Sequence, residues 1–539
     1  MRRKILKFMI FPLVLLVGMS ASLTNNDRLF EITKNIEIFV NVYKELNANY
    51  VDDLDPSHIM RIGIDAMVNS LDPYTRYISE SQVEGYRINK DGKYQGIGAV
   101  VESVNEKLTI IEPYEGSPVL EAGLKAGDQI VSIDGIRTEG KTHEDLSKLV
   151  RGVPGTSLQL LITRPGEFKE QAFELKRGQV TIPNVPYSGE IRDNIAYIAL
   201  KTFTPDAGKN VARALKNITR ENSEIEGIIL DLRNNGGGLL REAIAVSNIF
   251  VPKDLDIVSV KGKVIERDAS YKTRSEPVDL ETPLVVLINK SSASASEIVS
   301  GVIQDMDRGV LVGQRSFGKG LVQNTKEIGY NSRIKMTTSK YYIPSGRCIQ
   351  SVEYEEGEPK DIPDEQRGKF RTKGGRTVLD GGGVTPDLKL EAPEDSEIVK
   401  GLKSEKMIFR FVNEYMNSQP DSVGLKEIVF SDYKQFTSFL DREQFEFETE
   451  AEEQLKILKE SNAVDLAEEI KNLENKIQVL KSDDLREHQG AIQKLIEIEI
   501  ARRYHLQKGQ AFQQLKLDSE IDEAVALLKD KQRYESFLK

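Results

Sequence analysis

The chain has 539 residues, a formal net charge of −11 and 39% hydrophobic residues, enough for roughly three or four domains that each bury a core. The mild acidity argues against a nucleic-acid partner. One cysteine, Cys348, excludes an intramolecular disulfide and a cysteine-clustered zinc site, and four scattered histidines (His58, His143, His488, His505) offer no metal-ligand spacing.

The chain opens with "MRRKILKFMIFPLVLLVGMSAS". A positive start (Arg2, Arg3, Lys4, Lys7), an apolar run from Phe8 to Val17 and the small residues Ser20, Ala21 and Ser22 follow signal-peptide order. The run falls short of the about 18 apolar residues a spanning helix needs, so a signal peptide over 1–22 is expected rather than an N-terminal anchor. That places the protein outside the cytoplasm, in a periplasm or cell envelope, with membrane association left open.

Residues 27–87 show apolar residues at helical spacing, ending where Pro73 breaks the pattern in "SLDPYTRYISESQ". From 88 to 180, short runs such as "GIGAVVESV" and "SLQLLITR" alternate with two amphipathic stretches, predicting a small β-rich module. Over 181–395 strand-like and helix-like segments alternate, which argues an α/β layer with parallel crossovers. A polar, Gly-rich excursion from Glu353 to Gly383 interrupts that layer. Residues 396–539 are charged and helical, and Leu466, Ile470, Leu473, Ile477 and Leu480 form a short heptad-like seam. A hairpin packed on the core is one reading of the seam; a dimerisation arm is the other. The fold class is multidomain α+β, an α/β core with an inserted β-rich domain and helical regions at both ends.

Three motifs in the α/β region carry chemistry. "GQRSFGKG" (313–320) spells most of a P-loop, but Gly320 stands where Ser or Thr must hold Mg²⁺, and the following "GLVQNTKEI" is β-like rather than helical. "NKSSASASEI" follows the apolar strand "PLVVLIN" and opens a helix, so a serine there faces the positive end of the helix dipole. Ser294 and Glu297, three apart, also fit a capping box. "ILDLRNNGGG" (229–238) ends a strand in a glycine turn whose N–H groups can cradle an anion. No histidine lies between His143 and His488, so a base for the serine must be something else. Lysine serves in Ser-Lys variants of the triad, provided its pKa falls from about 10.4 so that it works neutral. If "KGLVQ" is a strand, Lys319, Leu321 and Gln323 share one face, and Gln323 can aim the amine.

These motifs, with "LDPYTRYIS", "GSPVLEAGLKAGDQIVSIDG" and "GGVTPD", resemble the carboxyl-terminal processing proteases, the tail-specific serine peptidases. The resemblance covers roughly residues 60 to 390. It implies Ser294 as nucleophile, Lys319 as general base and Gln323 as the residue that orients the lysine. Gly237 and Ala295 would supply the oxyanion N–H groups, and Asp305 structural support. Gly236 departs from the family, in which many members carry Pro.

By the same resemblance the 88–180 module looks like a PDZ domain, 181–395 becomes the peptidase core, and "QGIGAVV" matches the carboxylate-binding loop. Gly96, Ile97, Gly98 and Ala99 would then receive a substrate C-terminus by strand addition, and Arg151 would couple tail binding to the active site. The expected activity is that of a serine-type endopeptidase without metal or cofactor. Expected partners are proteins with apolar C-terminal tails, a second copy through the C-terminal helices, and an adaptor protein. The alternatives are a non-catalytic PDZ scaffold for envelope proteins and a non-peptidase α/β enzyme.

Overall fold

The computed structural model describes residues 27–167, 169–350, 354–355, 358–360, 362–392, 394–460 and 467–539. The expected signal peptide lies outside them, as do Leu466 of the seam and parts of the Gly-rich excursion. The chain divides into two units: the described residues up to Glu80 together with Gln323–Thr337, and Ser81–Val322 together with Thr338–Lys539.

In the smaller unit, residues 27–49 form a helix, and a second helix spans Pro56–Asn69. The Asp55 carboxylate accepts from Ser57 N and His58 N, and Pro56 occupies the first turn, a start signature written in the sequence. The expected helical stretch to residue 87 is broken at the proline turn. Asp72 there accepts from Tyr74 N, Thr75 N and Thr75 Oγ1, each at 2.8 Å. Arg76–Ile78 follows as a strand, antiparallel to Arg333–Lys335; helicity resumes at Glu80–Asp91, which from Ser81 on belongs to the larger unit.

The larger unit contains the β-rich module, the α/β layer and the C-terminal helices. The module is a sheet of Ala99–Val104, Lys107–Pro113, Gln129–Ile133, Ser157–Thr163 and Gln171–Lys176, in that spatial order, with Ala99–Val104 at an edge. Ile97, Ile110, Leu124, Ile130, Ile133, Leu158 and Leu160 fill its core. Lys93–Gly96 pairs antiparallel with Gly178–Thr181, so the module enters and leaves at one place, as an insertion does.

The α/β layer is a six-stranded sheet ordered Tyr187–Glu190, Ile195–Ala199, Gly227–Asp231, Leu284–Ile288, Val310–Gly313 and Leu388–Lys389, parallel from the second strand onward. Its strands are apolar on both sides because both faces are covered. Ile228, Leu230, Leu284 and Val286 face the helices Ala207–Glu221, Leu240–Phe250 and Ala295–Asp305. The alternate residues Ile229, Val285 and Leu287 pack on Ile521, Ala524, Val525 and Leu528. These last residues belong to the helix Ser519–Lys529. Tyr534, in the next helix, accepts from Leu284 N at 2.9 Å and donates to Leu284 O at 3.1 Å. The last two helices of the chain thus cover the second face of the sheet.

The remaining C-terminal helices pack around Phe411, whose ring contacts Tyr415, Phe430, Phe436 and Phe439. They also brace the β-rich module through Phe409 against Val104 and Ile111. In the seam, Ile470 is buried but Leu473 is 47% exposed, so the heptad pattern does not form one continuous packed face in the monomer.

Asp305 closes the helix Ala295–Asp305, about 16 Å along it from residue 294. It forms a fully buried ion pair with Arg347 at 2.9 Å and accepts from Ser345 N at 2.9 Å. Burial raises the Asp305 carboxyl and lowers the Arg347 guanidinium, so each depends on the other to stay charged. Asp305→Ala, which leaves Arg347 unpaired, is expected to destabilise the fold by about 3–5 kcal/mol, with Arg347→Met restoring part of the loss; urea unfolding midpoints of the single and double variants check this.

Candidate active site

Ser294 sits where the strand Leu284–Ile288 turns into the helix Ala295–Asp305, with φ +55° and ψ −108°. A serine adopts such angles only when its surroundings hold it there. Its N–H donates to Glu297 Oε2 at 2.7 Å, and its carbonyl accepts from Ile298 N at 3.0 Å. The turn is pinned to its neighbour as well: Ser292 Oγ donates to Leu232 O at 2.8 Å, and Ser296 Oγ to Asn235 O at 2.8 Å. The half-buried Ser294 is thus presented at a sharp strand-to-helix turn. The next residue, Ala295, is the first of the helix, where an N–H has no intrahelical acceptor.

The glycine turn after Gly227–Asp231 lies directly against this serine. Gly237 has φ +98°, and a Cβ there would stand 2.9 Å from both Ala295 N and Ser294 Cβ. Only glycine satisfies both the angle and the contact. Its N–H is not idle, however: it donates to Asn235 Oδ1 at 2.9 Å. Asn235 is fully buried, and its own Nδ2 donates to Leu200 O at 2.7 Å. Gly236 is exposed with open space around it, so nothing here depends on its departure from proline.

Lys319 lies in the irregular loop 314–320, and the strand begins only at Leu321. Lys319 therefore lies outside the alternation that would put it on one face with Gln323, because period two holds only inside a strand. What fixes the lysine's backbone is Glu297. One oxygen of this fully buried carboxylate accepts from Ser316 Oγ and Gly318 N, each at 2.6 Å. The other accepts from Ser294 N at 2.7 Å and Lys319 N at 2.9 Å. Burial pushes its carboxyl above the ordinary value, against the pull of those four donors. A second tie is Tyr341, whose hydroxyl lies 2.6 Å from Lys319 O and 3.1 Å from Ser294 O. Ser294, Ala295, Gly237 and Lys319 thus belong to one hydrogen-bonded framework in the larger unit. Gln323 belongs to the smaller unit, where its Nε2 donates to Thr337 Oγ1 at 3.4 Å.

In the β-rich module, Gly96, Ile97 and Gly98 are buried and Ala99 is half-buried at the start of the edge strand. Gly98 has φ +82°, and a Cβ there would strike Ser117 Cβ at 2.3 Å. The Tyr94 hydroxyl lies by the backbone of Gly98 and Ala99, and burial and the neighbouring Tyr114 push it up to about 12. Arg151 follows the helix His143–Val150, and its charge acts on the same hydroxyl.

Sequence reasoning read Glu297 only as a helix cap and missed Tyr341 and Asn235. The Ser294–Glu297 spacing was the available clue to the first. The other two lie in a hairpin strand and a glycine turn whose close approach no local pattern encodes.

Residues 194–358 match peptidase family S41, residues 109–164 a PDZ domain, and residues 398–528 the C-terminal helical domain of probable PDZ-proteases. The chain is 33% identical over 356 residues to a carboxy-terminal-processing protease of Bartonella bacilliformis, covering 65% of this chain and 81% of that one. A probable CtpA-like serine protease of Staphylococcus aureus is 28% identical over 470 residues, 86% of this chain and 85% of that one. Among solved structures, the photosystem II D1 C-terminal processing protease is 25% identical, with a TM-score of 0.36 over 66% of this chain and 92% of that one.

Proposed function

Because the chain belongs to the carboxy-terminal-processing proteases, serine peptidases of family S41, we propose that it is an exported endopeptidase of periplasm or cell envelope that reads substrate C-termini on its PDZ domain and cuts with a Ser294–Lys319 dyad. Ser294 Oγ attacks the scissile carbonyl, and its proton passes to neutral Lys319 Nζ. The oxyanion is held by Ala295 N–H and by Gly237 N–H, which turns to it from Asn235. Lys319 then protonates the leaving amine, and water hydrolyses the acyl-enzyme by the same proton route. By its match to the family motif, Gln323 is the residue assigned to orient the lysine. The observation that carries this reading is the one carboxylate, Glu297, that bonds the backbone N–H of both Ser294 and Lys319.

The edge strand Ala99–Val104 supports tail docking by strand addition, and Ala99, Val101 and Leu149 offer half-buried apolar surface for the last side chain. Arg151 couples this groove to the active site. Dimerisation through the C-terminal helices and activation by an adaptor are open to sedimentation and reconstitution. The test is degradation of a protein carrying an apolar C-terminal tail, against the same protein with its terminal carboxylate amidated. Cleavage that needs the free carboxylate supports the reading; indifference to amidation contradicts it, and tail binding without cleavage favours a scaffold.

Tyr94 gives a sharper expectation. Its hydroxyl lies by the backbone of Gly98 and Ala99, where it would compete with a docking carboxylate for their N–H groups. Tyr94→Phe is expected to tighten tail-peptide binding about fivefold, one neutral hydrogen bond, measured by titration calorimetry.

A further inference from the structure

The residue that begins the glycine turn is itself held from the far end of the chain. Arg233 follows the strand Gly227–Asp231 and stands four residues before Gly237. Its guanidinium is 12% exposed and meets three carboxylates. Nε donates to Asp231 Oδ1 at 3.0 Å and Nη2 to Asp231 Oδ2 at 2.8 Å. Nη2 also lies 2.7 Å from Asp518 Oδ2, and Nη1 donates to Glu520 Oε2 at 2.5 Å. Asp231 is fixed in turn by Tyr197 Oη at 2.7 Å and by Arg233 N at 2.9 Å.

Asp518 caps the helix Ser519–Lys529, and Glu520 lies in its first turn, the helix that covers one face of the core sheet. The second oxygen of Glu520 accepts from Gln314 Nε2 at 2.6 Å. Gln314 is the first residue after the strand Val310–Gly313 and opens the loop that carries Lys319. One buried carboxylate from the C-terminal helix therefore grips the roots of two loops, the one bearing Gly237 and the one bearing Lys319. The third root is tied in alongside: Asn234 N donates to Asn289 Oδ1 at 3.0 Å, and Asn289 Nδ2 returns to Asn234 Oδ1 at 2.9 Å, five residues before Ser294.

We propose that Arg233 is a positioning residue for the oxyanion turn, set in place by Asp518 and Glu520, so that the start of the C-terminal helix is part of the active-site framework. The inference rests on the reading of Gly237 as an oxyanion donor. One cation among three carboxylates fixes direction rather than maximising stability: a planar fork satisfied on its Nε and both Nη atoms has few alternative poses. Removing one carboxylate frees the fork to swing toward the other two, and the turn moves with it.

The test uses the full chain with Glu520→Gln and Asp518→Asn, and Glu523→Gln as control. Glu523, on the helix Ser519–Lys529, pairs with Arg533 of the next helix. Three readouts are taken under conditions where all variants are folded by circular dichroism: turnover of a tailed protein, affinity for a peptide aldehyde that forms an oxyanion on Ser294, and affinity for the free tail peptide. Glu520→Gln and Asp518→Asn are expected to lower kcat and aldehyde affinity together, by about tenfold, as misplacement of an oxyanion donor does. Tail affinity stays within about twofold, because the PDZ domain is untouched. Glu523→Gln changes none of the three. Aldehyde affinity unchanged in both folded variants, with turnover abolished normally by Ser294→Ala, overturns this inference alone. Wild-type turnover in Ser294→Ala overturns the dyad and the inference with it.

Discussion

Lys319→Ala is expected to lower kcat on a tailed protein by about three to four decades while leaving KM within about threefold. The lysine is proposed to act on the serine proton alone, so tail docking on the PDZ domain is unaffected by its loss. Lys319→Arg is expected to be as inactive as Lys319→Ala, since a guanidinium does not give up its proton in a protein and has no lone pair to accept one. The wild-type rate should rise with pH as the neutral amine accumulates, and the residual rate of Lys319→Ala should lack that rise. Steady-state kinetics of the three proteins across one pH series check all of this.

Glu297→Ala is expected to remove activity by a different route. Ser294 N, Lys319 N, Gly318 N and Ser316 Oγ all donate to the one carboxylate, and alanine strands them in a fully buried place. Each stranded donor costs about 1–3 kcal/mol, so both loops will rearrange and the unfolding midpoint will fall. Glu297→Gln is milder in shape but points an NH₂ group at two donors, and a kcat loss of about a hundredfold is expected. The acid side of the wild-type profile carries a further mark of this residue. Burial holds its folded-state pKa above the unfolded value, so the native state binds the extra proton in the window between them. Its contribution to stability therefore falls as pH rises through that window and recovers on acidification. Protonation weakens the one acceptor that the four donors share, so activity should drop with acid before the fold does. Paired kcat and unfolding measurements over the same pH values decide it.

Much of this organisation can be read from residue patterns. The apolar strands "IEGIILDLR" and "PLVVLIN" declare a sheet covered on both faces, and the structure places them side by side in parallel. The turn chemistry at "RNNGGG" and "SSASASEI" points to two strand-to-helix corners, and those corners touch. The rest depends on long-range pairing. That Glu297 reaches across 22 residues to Lys319, or Glu520 across 287 to Arg233, follows from how the layers close and leaves no periodic trace. The same holds for the core's last face, supplied by helices after residue 518. The strand starting at Leu321 rather than Lys319 is a boundary slip of two residues, and it alone undoes an argument based on alternation.

In the proposed mechanism Ser294 becomes acylated with Lys319 as its base. A tailed protein mixed with the enzyme for milliseconds to seconds and quenched in acid, followed by peptide mass mapping, tests it most directly. A substrate acyl group is expected on Ser294 in wild type, and none in Ser294→Ala or Lys319→Ala on the same timescale. An acyl group on another residue, or its formation on Ser294 at the wild-type rate without Lys319, would contradict it.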